Sequence, residues 1–278
     1  MTSPLPMTAG RWVALVIGTP LALVAIGWTA LTAVAWAGLG TTRVSLAVPV
    51  QPHQTAAVSV DTGDVSVSPG VAGLIRVHGI LRYSLVAPQA SWQRTPSAVT
   101  LHSRCRVPAG ECSLDYAVTV PPAGRSEISV ASGDLTATGL AGTVTLKSES
   151  GDVTAARIAG SATIGDESGD IVVSALSAGR AVITDASGNI DGTRVSSQDL
   201  TVRDLSGDIT VVFTTVPATV TVSDSSGDIT LVLPHGPAAY RVLASATSGN
   251  TTVTVPKSAF SPHVITATDE SGNITITQ

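Results

Sequence analysis

Ser168-Gly169-Asp170-Ile171-Val172-Val173 is one copy of a phrase that returns through the second half of this chain. Its relatives are Ser132-Gly133-Asp134, Ser150-Gly151-Asp152, Ser187-Gly188-Asn189, Ser206-Gly207-Asp208, Ser226-Gly227-Asp228, Ser248-Gly249-Asn250 and Ser271-Gly272-Asn273. Successive glycines are 18, 18, 19, 19, 20, 22 and 23 residues apart. Self-similarity at a near-constant period of about 20 residues is the mark of a stacked array. After each corner comes an alternating pair, such as Leu135 and Ala137, Val153 and Ala155, Ile171 and Val173, or Ile209 and Val211. A second alternating stretch follows: Val144 and Leu146, Ala162 and Ile164, Ala181 and Ile183, Leu200 and Val202, Val220 and Val222. Period two means a strand with one buried face. The unit is therefore strand, turn, strand, turn, too thin to bury its own face alone. The fold class predicted is all-β: a parallel β-helix or solenoid of about 18–23-residue rungs.

The corner residues have a local cause. Glycine reaches positive φ at no steric cost, and Asp or Asn bonds its own nearby backbone and tolerates the left-handed region. Gly133, Gly151, Gly169, Gly188, Gly207, Gly227, Gly249 and Gly272 are thus read as structural turns. A second acidic row stands four residues before the corner Asx, at Asp166, Asp185, Asp204, Asp224 and Asp269. Stacked about 4.8 Å apart, such rows repel. A hard cation with oxygen ligands would relieve that repulsion, which makes Asp166, Asp170, Asp185, Asp204, Asp208, Asp224 and Asp228 the calcium candidates. The spacing fits neither an EF-hand loop nor the glycine-rich nonapeptide calcium repeat, and no cofactor is called for.

Upstream, Trp12 to Leu39 is an uncharged run of 28 residues. About 20 apolar residues span a bilayer, and Trp12 and Trp36 stand where indoles favour the headgroup level. One N-terminal transmembrane helix is predicted, with residues 1–43 as tail and anchor. The competing reading is a cleaved signal peptide, whose apolar core would be shorter, although Ala35-Trp36-Ala37 has the small-x-small form of a cleavage site. Arg11 and Arg43 flank the run and barely bias its orientation. Cys105 and Cys112, the only cysteines, are expected to bridge a hairpin formed by the segments around Val99 and Leu114, the rival readings being free structural thiols or a metal site, which two Cys without a nearby His serve poorly. A disulfide persists in oxidising compartments, so the N-terminus is predicted cytoplasmic and the rest extracytoplasmic. Residues 44–125 are predicted as an irregular β-section that starts and caps the stack, with 126–278 as its regular repeats. Thr62-Gly63-Asp64-Val65 is an early copy of the corner. The loops Pro234–Ala238 and Pro256–Pro262 lengthen the last turns and are candidate binding loops.

Composition excludes several functions. Beyond residue 43 there are 13 basic and 20 acidic side chains, and no basic run, which argues against nucleic acid. Aromatics are 3% of the chain, too few to supply the platforms that sugar clefts usually use. The five histidines, His53, His78, His102, His235 and His263, never stand three or four residues apart, and no metalloprotease, phosphate-loop or nucleophile-elbow motif occurs. Paired acids on neighbouring rungs would meet glycosidase spacing, but they repeat along the array, whereas a catalyst needs one distinctive pair.

With these features in place, the chain resembles the bacterial putative-adhesin family of membrane-anchored β-strand-repeat proteins, a family whose domain is of unknown function. The resemblance rests on the N-terminal apolar run, the irregular first β-section, the serial Ser-Gly-Asp-Ile/Val phrase and the closing stretch from Tyr240 to Val255. It implies a parallel β-helix-like stack at the cell surface and no catalytic residues. The expected function is a non-enzymatic membrane-anchored extracytoplasmic module for adhesion or envelope interaction, its partner an unknown protein or glycan. The alternatives are the ectodomain of an envelope sensing or signalling partner and a carbohydrate-active β-helix enzyme.

Overall fold

A computed structural model describes residues 40–83, 89–104 and 112–278. The expected transmembrane anchor and Cys105, and so the expected disulfide, lie outside these residues. Among the described residues there are 23 strands and no helix. The first seven are β1 (Gly40–Pro49), β2 (Thr55–Val60), β3 (Val65–Pro69), β4 (Leu74–Tyr83), β5 (Gln89–Arg94), β6 (Ala98–Arg104) and β7 (Cys112–Val120). The regular series then runs in pairs: β8 (Ala123–Val130) and β9 (Leu135–Thr138), β10 (Ala141–Ser148) and β11 (Val153–Ala156), β12 (Ala159–Gly165) and β13 (Ile171–Ser174), β14 (Ser177–Thr184) and β15 (Ile190–Val195), β16 (Asp199–Arg203) and β17 (Ile209–Phe213), β18 (Thr219–Asp224) and β19 (Ile229–Val232). The last pairs are β20 (Arg241–Ser248) with β21 (Thr251–Val253), and β22 (Val264–Ser271) with β23 (Ile274–Thr277). β8 crosses the expected boundary at 125/126, because Pro121 and Pro122 end β7 and the next rung starts directly after them.

Each pair is one rung. Its first strand lies in one sheet and its second in the facing sheet, joined by the Ser-Gly-Asx corner. Ten of the eleven strands in the first sheet and ten of the twelve in the second stack parallel, rung on rung. The registers put like on like: Leu135, Val153, Ile171, Ile190, Ile209, Ile229 and Ile274 form one column, all fully buried. Fully burying such a side chain is worth roughly 1.5–3 kcal/mol. Facing columns come from Val144, Ala162, Ala181, Leu200 and Val220 on the other sheet. Gly192 breaks its column for a packing reason. The register shifts between Gly192 and Val195, and a Cβ at Gly192 would meet the Val195 side chain at 3.3 Å.

The far turn adds an apolar row that the period-two reading does not contain. Leu140, Ile158, Leu176 and Val195 are all buried there. Each follows a left-handed residue: Gly139, Arg157, Ala175 and Arg194 have φ of +71°, +54°, +53° and +53°. The N–H groups of Gly139, Arg157 and Ala175 donate to the next rung at Ala156, Ser174 and Thr193.

One expectation changes. β6 and β7 are not the arms of a hairpin: β6 pairs with β2 and β5 in one sheet, and β7 with β3 and β4 in the other. They are the two walls of a rung, because both bury alternate residues toward the space between the sheets: Val99 and Leu101 on β6, Leu114, Tyr116 and Val118 on β7. The stacking order also departs from chain order at both ends. β2/β3 lies between β6/β7 and β8/β9, and β22/β23 lies between β18/β19 and β20/β21. The loops around Pro234 and Pro256 supply the extra length that skipping a rung requires. Near them Tyr240 is fully buried, its N–H donates to the Pro256 carbonyl at 2.8 Å, and its ring sits 6.1 Å from that of His263.

Candidate functional site

The eight predicted corner glycines do form a single column, extended by Gly63. Apart from Gly249, which ends the row, each N–H donates to the serine carbonyl of the neighbouring corner: Gly133 to Ser150, Gly169 to Ser187, Gly207 to Ser226, Gly272 to Ser248. Gly63 bonds Ser132 at 2.7 Å, so the early copy is part of the same row. Glycine is required for two reasons. Except at Gly272, the φ values of the column run from +121° to +155°, and a Cβ at Gly207 would strike the carbonyl oxygen of Gly188.

The Asx residues beside them form a second ladder. The Oδ1 of Asp64 accepts the N–H of Asp134, Asp134 that of Asp152, Asp152 that of Asp170, and Asp170 that of Asn189, at 2.8–3.0 Å. Asn189, Asp208, Asp228 and Asn273 continue it to Asn250. Each side chain therefore satisfies a backbone donor on the next rung, a bond strengthened where the acceptor is charged. Asn performs the same bond at two places, Asn189 and Asn273, so charge is not essential to it. Asp208→Asn is expected to leave the melting midpoint nearly unchanged, whereas Asp208→Ala should cost about 1–2 kcal/mol in a denaturant titration. Equal losses for both would show that the carboxylate's charge, not its acceptor, holds the corner.

The other acidic row is buried. Asp166, Asp185, Asp204, Asp224 and Asp269 are each 2–6% exposed and stand under their own corners. In each the Oδ1 accepts one or both N–H groups of the two following residues, as Asp185 does from Ala186 at 2.7 Å and Ser187 at 3.3 Å. The Oδ2 of all five has no hydrogen-bond partner. It lies 2.7–3.1 Å from where a Cβ on the corner glycine would be. Burial raises every one of these carboxyls above the ordinary range, against the lowering effect of the backbone N–H groups. For Asp185 the value reaches about 6, with the charges of Asp204 and Asp166 adding to the rise. A buried acid with a free oxygen and a raised pKa is one that takes up a proton: it then gains an O–H donor and loses the repulsion along the column.

The calcium candidates are thus divided. Asp170, Asp208 and Asp228 are exposed and bonded to backbone, while Asp166, Asp185, Asp204 and Asp224 are beneath the corners. Among the described residues no group of three or more His, Cys, Asp or Glu side chains converges as a metal site.

Sequence reasoning missed a groove of about 620 Å³ on the outer face of the twelve-stranded sheet. Two cross-strand rows line it: Ser45, His78, Ala117, Ser66 and Thr136, and beside it Arg43, Ile80 and Asp115. Asp64 and Asp134 close one side. Ala117 makes the floor low, and Ile80 is 40% exposed within it. Asp115 is held by Arg82 at 2.8 Å and by the Ser113 hydroxyl at 2.9 Å. The groove brings together one apolar side chain, one guanidinium, an imidazole and three carboxylates, which suits recognition through several weak polar contacts. Its residues come from β1, β3, β4, β7 and β9, so no local pattern marks it.

Comparison with known proteins supports the architecture. The sequence profile of a family described as Toastrack DUF4097 matches residues 106–277. A crystal structure of a putative adhesin from Bacteroides fragilis is similar at a TM-score of 0.51 and 14% identity, over 85% of this chain and 96% of that one. A putative lipid binding protein from Parabacteroides distasonis is similar at a TM-score of 0.52 and 10% identity, over 85% and 97%. At these identities the likeness is one of fold. No curated protein matches the sequence.

Proposed function

This chain belongs to the Toastrack DUF4097 family, and from that premise we propose that it is a non-enzymatic surface-interaction module. Its stack is a rigid support that presents the groove around His78 and Ile80 to an extracytoplasmic protein or glycan. Residues 12–39 tether it to the membrane in a single pass, with the N-terminus on the cytoplasmic side. One observation carries the reading: the repeated carboxylates are used on the backbone, corner after corner, and form no distinctive pair. The adhesin-like fold of the solved relatives supports the same class.

The test is binding by cells that display the full chain, read on a glycan array and on immobilised envelope proteins. A ligand found this way should lose at least about fivefold in retention with Ile80→Asp or with His78→Glu, since one buried contact is worth 1 kcal/mol or more. Both side chains are exposed, so the fold should survive, as a melt would verify. Retention unchanged by either substitution would remove the groove from the account. Turnover of any arrayed glycan that is lost with Asp170→Asn would overturn the non-enzymatic reading.

A further inference from the structure

We propose that the C-terminal end of the stack docks on an anionic lipid surface, with the Phe260 ring entering the headgroup layer. Among the described residues Phe260 is the most exposed of the large apolar side chains, at 98%. It sits at the tip of a turn closed by the Ser261 N–H, which donates to the Ser258 carbonyl at 3.2 Å. The turn is tied to the body on both sides. The Tyr240 N–H donates to the Pro256 carbonyl at 2.8 Å, and the Ser258 N–H to the Tyr240 carbonyl at 3.0 Å, so Pro256–Ser258 runs along the outer edge just ahead of β20. The Ser261 hydroxyl donates to the Ala239 carbonyl at 2.6 Å and accepts the His263 N–H at 3.0 Å. The His263 ring nitrogen Nδ1 meets the Pro217 carbonyl at 2.8 Å. A ring held clear of its own protein by so fixed a loop loses little further freedom when it docks.

Charge at this end is one-sided. No Asp or Glu occurs between Asp228 and Asp269, while Arg241 and Lys257 in that stretch are both exposed. The corner row is uncharged here as well, with Asn273 and Asn250 on the last two rungs. Glu270, on the rung behind, is the exposed acid that remains. Leu243 adds an apolar side chain, 57% exposed, on β20.

The occupant follows from charge complementarity. A convex tip with one ring, an ammonium three residues before it and no carboxylate in its loop matches a surface that is negative outside and apolar beneath. A headgroup layer containing anionic lipids is such a surface. Aromatic rings settle at its depth, and a lysine lays its stem along the acyl chains while its ammonium stays among the phosphates. The approach is end-on. Contact along the side of the stack would bring the exposed Asp134, Asp152 and Asp170 against charge of the same sign. β1, which follows residues 12–39, lies at the opposite end: β1 and β21 are the outer strands of a twelve-stranded sheet, roughly 50 Å apart at the usual strand spacing. With residues 12–39 as the tether, the docked surface is that of a second membrane. One tip binds weakly, and many copies on one membrane bind together with higher avidity.

The full chain, reconstituted in immobilised phosphatidylcholine vesicles, tests the idea by its capture of labelled acceptor vesicles. Acceptors of phosphatidylcholine mixed with phosphatidylglycerol should be captured, less so as salt is raised, and acceptors of phosphatidylcholine alone should not. Phe260→Ser and Lys257→Glu should each raise the acceptor concentration for half capture about tenfold or more. Both side chains are exposed, so the melting midpoints should match the parent's. Val172→Ser removes a 40% exposed apolar side chain from the outer face of β13 and should leave capture unchanged. Failure to capture anionic vesicles overturns the proposal, as does equal capture of neutral ones. So do Phe260 and Lys257 variants that capture as well as the parent, or a loss as large with Val172→Ser. Parent-bearing vesicles that clump with one another when no acceptor is present would make the occupant a second copy, and overturn it too.

Discussion

Gly207→Ala is expected to destabilise the stack by at least about 3 kcal/mol, enough to lower the melting midpoint by several degrees or prevent folding. The new Cβ would overlap the Gly188 carbonyl oxygen and lie 3.1 Å from Asp204 Oδ2. Its φ of +151° is one that an L side chain rarely adopts, and strain of this kind costs about 1–3 kcal/mol before any clash is counted. Relief by movement is blocked. The N–H of Gly207 is bonded to Ser226, and that of Gly188 to Ser206, so shifting one corner pulls on two others. Gly179→Ala supplies the control, since nothing lies within 4 Å of its Cβ position. It should change stability by no more than about 0.5 kcal/mol. Equal effects in chemical denaturation would mean that the corner column is not what the fold depends on.

The second large effect is an inverted response to pH. Burial lifts all five under-corner carboxyls, Asp185 from 3.8 to about 6. Between those two values the folded chain holds a proton that the unfolded chain has released. Stability must therefore fall as pH rises through that window and level off above it. For Asp185 alone the span corresponds to roughly 3 kcal/mol. The other four act in the same direction. The melting midpoint should be higher near pH 5 than near pH 7.5, whereas most proteins weaken as their paired carboxylates protonate. Asp185→Asn keeps an oxygen for the Ala186 and Ser187 N–H groups and removes the charge. It should raise the midpoint at pH 7.5 and flatten the profile between pH 4 and 6. A midpoint that declines steadily from pH 7.5 to 5 in the parent would show these acids to be ionised and stable where they are.

What was legible in the chain was whatever a single rung states by itself. Ile171 and Val173 alternate because one face is wet and one dry. Gly169 punctuates because only glycine takes that backbone angle beside another carbonyl. Repetition then implied stacking, since one rung cannot bury its own face. Even the two acidic rows were countable in advance. Their different fates were not: Asp170 and Asp166 are four residues apart, yet one is exposed and bonded to the next rung while the other is buried with an oxygen unpartnered. That difference is a matter of side-chain direction at a corner, which period-two patterning does not describe.

The all-β stack, its period and its glycine column were thus determined by the amino-acid sequence alone, because they arise from conformational preferences and alternation within about 20 residues. Tertiary structure decided the rest. It put β22/β23 inside β20/β21 and made β6 and β7 opposite walls, because any rung fits beside any other when all present the same apolar columns. It bent Arg157, Ala175 and Arg194 into the left-handed region, where no local signal points, because the bond from Arg157 N–H to Ser174, and that from Ala175 to Thr193, outweighs the local preference. It also formed the groove around His78, whose walls are brought together from five separate strands by pairing at long range.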